Sequence, residues 1–124
     1  LLAVGDSNAE ELKGYVVVRA VELMGMRCGV VVDLGGTSVD SLAFGLDVVK
    51  TKMRQAGMEC IVAACSAYSV EHDSLISKGF LTVPDRLLPQ PLHFILRVSE
   101  GHPAYVKLKR FEDWFLTFGD YDVL

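Results

Sequence analysis

The chain has 124 residues, of which 51% are hydrophobic and 23% charged, with a formal net charge of -4 at pH 7. That length suits a single domain with one core, and that apolar content excludes an intrinsically disordered chain. Gly 11 and Pro 4 exclude collagen-like and low-complexity classes, no run reaches the ~20 apolar residues of a membrane span, and basic residues that always sit near acids argue against a nucleic-acid-binding face.

In chain order, Leu1 to Lys13 places Gly5, Asp6, Ser7 and Asn8 among acids and reads as a loose lead-in or a short helix. Tyr15 to Glu22 and Cys28 to Leu34 are valine-rich strands, and Met24-Gly25-Met26 is a turn that makes them an antiparallel hairpin. After Gly35-Gly36-Thr37-Ser38, the apolar residues Val39, Leu42, Ala43, Leu46, Val49, Met53 and Ala56 recur at helical spacing. They predict a helix of about eighteen residues, capped by Thr37 or Ser38 and ended by Gly57. Met58 to Ala64 is apolar enough for a central strand. Ser66-Ala67-Tyr68-Ser69 leads into a short helix, Val70 to Lys78, closed by Gly79. Pro84 to Pro91 is an irregular connection, Leu92 to Val98 a fourth strand, Glu100 to Pro103 a loop, Tyr105 to Arg110 a short helix or strand, and Asp113 to Phe118 a fifth strand. The fold expected is α/β: a mixed, mainly antiparallel sheet with helices on its faces, residues 1-14 leading into one domain over 15-124.

Cys28, Cys60 and Cys65 show no CxxC and no zinc spacing, so they read as buried thiols of a reducing compartment. With no signal peptide visible, a cytoplasmic location is expected. His72 sits between Glu71 and Asp73 on an exposed acidic helix face, and His93 and His102 have no local partner for metal or base chemistry. No GxGxxG, GxxxxGK[ST] or GxSxG occurs. The most informative stretch is the strand-to-helix junction Val31-Val32-Asp33-Leu34-Gly35-Gly36-Thr37-Ser38. A helix start offers unpaired amides and the positive end of the dipole, and glycines admit a phosphate close to the backbone. The same residues equally make a Gly-Gly turn followed by a helix cap.

This order of elements, from Tyr15 to Asp122, resembles the second half of the GNAT acetyltransferase superfamily. In that family a long strand ends in a loop that holds the pyrophosphate of acetyl-CoA at the start of the next helix. A further strand splays away, and the pantetheine arm lies in the gap. Gly79-Phe80 is similar to the Gly-Phe that follows the family's second helix, and the closing Trp114 to Asp122 is similar to the ends of acetyltransferase-like domains in larger bacterial proteins. The family loop is Gln or Arg, two residues, Gly, one residue, then Gly or Ala. Asp33, Gly36 and Ser38 take those three places, and only Gly36 matches.

The resemblance implies an acetyl-CoA site made by Val31, Val32, Asp33, Gly35, Gly36, Thr37, Ser38 and Ser66. Tyr68 would be the general acid; from the residues themselves, Glu22 and Asp33 each end a strand and are the candidate bases. Catalysis would come from positioning, with a backbone N–H of the Cys28 to Leu34 strand polarising the thioester carbonyl. The family's first strand and acceptor-side helices need more residues than precede Tyr15, so either a longer chain or a second copy in a homodimer supplies that wall. Two functions are expected: an N-acetyltransferase acting on an amine, or a non-catalytic module of the same fold used for assembly or small-ligand binding. The acetyl-CoA reading requires a V-shaped opening beside the Met58 strand, without which the topology serves only as scaffolding, whereas a chance likeness predicts pairing along its full length.

Overall fold

The computed structural model describes residues 2–4, 13–84, 86, 101, 103, 105–108, 110 and 114–120. Its sheet has four strands in the order β1 (Leu2–Val4), β2 (Gly14–Leu23), β3 (Met26–Gly36) and β4 (Cys60–Ala63). The β1–β2 and β2–β3 pairs are antiparallel and β3–β4 is parallel, the mixed, mainly antiparallel α/β arrangement expected. The lead-in departs from expectation. Leu2–Val4 is a strand paired with Gly14 to Val16, because backbone hydrogen bonding to an open strand edge can order a segment with weak intrinsic preference.

The hairpin closes with Leu23 opposite Met26. Met24 and Gly25 both have positive φ, 53° and 79°, the pattern of a two-residue turn whose twist matches the strands. Opposite Val17 and Val18 the register slips: Val17 faces Asp33 and Val18 faces Val31, leaving Val32 as the extra residue of a β-bulge. The bulge exchanges the faces of β3. Before it, Gly29 and Val31 point to the helices; after it, Leu34 and Gly36 do, and Asp33 and Gly35 turn to the other face.

Helix α1 (Val39–Gln55) starts at the Ser38 cap and ends at Ala56, with Gly57 in the left-handed region at φ +72°. Helix α2 (Val70–Ser77) starts at the Ser69 cap and is closed by Gly79 at φ +82°. Both helices cover the same face of the sheet. Leu46 and Val49 of α1 and Leu75 of α2 join Val16, Val31 and Leu34 in one buried cluster. Lys50 Nζ donates to the Lys78 carbonyl at 2.8 Å, and Lys78 pairs with Asp47, tying the helices together.

Among the described residues β4 is the outermost strand rather than a central one, and its four residues are half-buried. Its apolar side chains serve the helix face, where Ile61 and Ala63 pack on the core cluster. Among the described residues the expected fifth strand shows one antiparallel bridge, Thr117 to Cys65, followed by a 3-10 turn over Phe118–Asp120. Tyr105–Leu108 is one helical turn, labelled α3. The expected Leu92 to Val98 strand, His93 and His102 lie outside the described residues.

Candidate functional site

Parallel pairing between β3 and β4 runs from Cys28–Cys60 to Val31–Ala63 and stops there, while β3 continues to Gly36. The two chains part at the bulge. Val32 has a register partner on neither neighbouring strand. β4 is thus paired along its whole length, as a chance likeness predicts, and β3 runs on beyond it to Gly36, beside the start of α1.

The amides around it are less free than the spacing suggested. Thr37 N donates to the Lys13 carbonyl at 3.0 Å, and the Thr37 hydroxyl approaches the same oxygen at 3.2 Å. Ser38 N donates to Ser41 Oγ and Ser41 N to Ser38 Oγ, each at 3.3 Å, a reciprocal cap that occupies both donors. The amides at Val39 and Asp40, in the first turn of α1, have no intrahelical acceptor.

The glycine pair is explained by packing. A Cβ on Gly35 would lie 2.9 Å from the Tyr15 ring, and one on Gly36 would lie 2.7 Å from Leu42 Cγ. Tyr15 is the cross-strand partner of Gly35, so its ring lies over the bare backbone. Its hydroxyl donates to Asp33 Oδ2 at 3.2 Å. Burial and the Asp33 carboxylate both push the Tyr15 phenol pKa up. Asp33 Oδ1 accepts from Leu34 N at 2.9 Å and lies 3.4 Å from Thr117 Oγ1. Asp33 is thus the anchor of an internal polar cluster on the face away from the helices. Thr117, 3% exposed, also donates its amide to Asp120 Oδ2 at 2.8 Å. Gly119 runs against the Val32 carbonyl, 3.2 Å from where its Cβ would be. The Thr117–Asp120 turn therefore packs on β3 at Val32, just past the end of β4.

Ser66 is buried and engaged both ways: its hydroxyl donates to the Trp114 carbonyl at 2.6 Å and accepts from Leu116 N at 2.9 Å. It fastens the 114–117 segment to the end of β4. Tyr68 lies in the turn before α2 and is 79% exposed. Glu22 is exposed at the hairpin end of β2, opposite Arg27. Seven residues separate it from Tyr15, roughly 23 Å along a strand, so the fold does not bring it to the junction. The residues that sequence reasoning missed are Tyr15, Thr117 and Asp120. A tyrosine paired with glycine across a hairpin was a usable signal for the first, and the Thr-x-x-Asp spacing of Thr117 and Asp120, which favours a local side-chain cap, for the others. Among the described residues no group of three or more His, Cys, Asp or Glu is placed to hold a metal ion, and no helix is long and apolar enough to cross a membrane.

Fold and site together define an α/β domain with a mixed sheet, helices on one face and a longest strand, β3, that outruns its parallel neighbour β4. The solved structures similar to it are of TTHA1254 from Thermus thermophilus. The mutant form matches with a TM-score of 0.59 and 22% identity over 81% of this chain and 71% of that one. The wild type matches with a TM-score of 0.54 and 23% identity over 75% and 67%. At that identity the likeness speaks for the fold alone. No protein-family model and no curated protein matches the chain.

Proposed function

We propose that this is a GNAT-like domain that binds acetyl-CoA where β3 and β4 part and passes the acetyl group to an amine. The observation that carries this reading is Val32, a strand residue without a register partner on either side, set just past the end of β4 and four residues before Gly36. Strand backbone there can pair with the amide-bearing pantetheine arm, and an N–H of β3 can polarise the thioester carbonyl. The first turn of α1 offers the Val39 and Asp40 amides to the pyrophosphate. The acceptor amine attacks the thioester carbonyl and releases a proton to solvent, the carbon–sulfur bond breaks, and exposed Tyr68 gives the leaving thiolate a proton and regains one from solvent. Glu22 takes no part, on its distance.

The second reading, a non-catalytic module of the same fold, is favoured by one specific observation. Thr37 and Ser38 already donate within the protein, and the Thr117–Asp120 turn lies against Val32. Calorimetric titration with acetyl-CoA separates the two. Gly36 is a poor probe, since any side chain there disturbs Leu42. Val39→Pro is a better one. Proline is tolerated at the first helical position, Ser38 is already extended, and the substitution removes a single amide donor. A micromolar affinity that Val39→Pro weakens roughly tenfold supports the acetyl-CoA reading. No heat at millimolar ligand leaves the non-catalytic module.

A further inference from the structure

Cys28 of β3 and Cys60 of β4 are direct register partners, and their sulfurs are 2.7 Å apart. Both are free thiols. Neighbouring strands lie ~4.8 Å apart, inside the roughly 4.4–6.8 Å between Cα atoms that a disulfide spans. Bridging therefore asks only that the sulfurs close. Cys28 is fully buried and Cys60 half-buried, so a reagent from solvent meets Cys60 first. Strand alternation puts Cys65 on the other face, with Ile61 and Ala63 against the helices, away from the pair.

We propose that Cys28 and Cys60 are a redox modification site that closes into a disulfide by exchange with a small-molecule disulfide of the glutathione class. The Cys60 thiol gives its proton to solvent, and the thiolate attacks one sulfur of the reagent. The reagent's S–S bond breaks, and one thiolate leaves and is protonated. The Cys28 thiol then loses its proton and attacks Cys60 Sγ, expelling the second small thiol. The pair gives up two electrons, and the reagent becomes two thiols. The bridge staples β3 to β4 three residues before their last register pair. The hydrogen bond with Cys28, followed by burial, pushes the Cys60 thiol up to about 11, so exchange quickens as the pH rises above neutrality. None of this depends on acetyl-CoA.

The test is to treat the full chain with oxidised glutathione at about pH 9, alkylate the remaining thiols under denaturing conditions, and read the intact mass. The reduced chain takes three alkyl groups, one for each cysteine. The treated chain is expected to have lost two hydrogens and to take one alkyl group. Cys65→Ser abolishes that group and leaves the hydrogen loss in place. Peptide mapping joins the Cys28 and Cys60 peptides, and dithiothreitol restores all three alkylations. Three alkylations after treatment, a lasting glutathione adduct on Cys60 with Cys28 still alkylated, or a bridge that includes Cys65 would each overturn the proposal.

Discussion

Met24 holds a left-handed backbone, φ 53°, and its side chain is 87% exposed, so nothing it touches repays the steric cost. Met24→Asn is expected to stabilise the domain by roughly 1 kcal/mol in urea unfolding, because asparagine tolerates that conformation and suits the turn. At the junction the two glycines are expected to respond differently. Gly36→Ala drives a methyl into fully buried Leu42 and should destabilise by about 1–3 kcal/mol. Gly35→Ala meets the half-exposed Tyr15 ring, which can swing aside at the cost of its bond to Asp33, a loss of about 0.5–1.5 kcal/mol. Equal losses for the two in thermal unfolding would contradict this account of the Gly-Gly pair.

Among the elements, α1 forms for reasons written along its length. Apolar residues recur on one face, Asp40 sits at the start, and Lys52 and Arg54 sit at the end. The closing segment forms for a different reason. Thr117 and its neighbours are held by Ser66, whose hydroxyl pairs with groups 48 and 50 residues away. Ser66→Ala leaves the Leu116 amide and the Trp114 carbonyl without that partner, and a loss of about 1–3 kcal/mol is expected. Amide exchange should then quicken over 114–120 before it changes in α1. Uniform acceleration across the domain would mean that the segment unfolds only with the core.

Over the whole molecule, three described groups hold their protons more firmly folded than unfolded, the Cys65 thiol among them through burial. The Cys60 thiol is raised from 9.0 to about 11, chiefly by the bond with Cys28, and the Tyr15 phenol is raised above 10.0 by burial and by Asp33. A raised folded-state pKa contributes stability that is complete below the unfolded pKa and is lost as pH climbs through the folded one. The melting temperature is therefore expected to fall from about pH 9 upward, and Tyr15→Phe and Cys60→Ser should each flatten that fall relative to the unsubstituted chain. Much of this fold was legible in the residues. The hairpin, the cap at Ser38, the stops at Gly57 and Gly79, and the strand over Cys60–Ala63 all rest on interactions within one element or between neighbours, which local pattern encodes. The β1 strand, the bulge at Val32, the pairing of Tyr15 with Asp33, the closing turn against Val32 and the meeting of Cys28 with Cys60 were not legible. Each depends on which of several registers or distant segments wins the competition for one sheet edge or one face. That competition is settled by the summed burial and hydrogen bonding of the assembled domain, which no short stretch of chain contains.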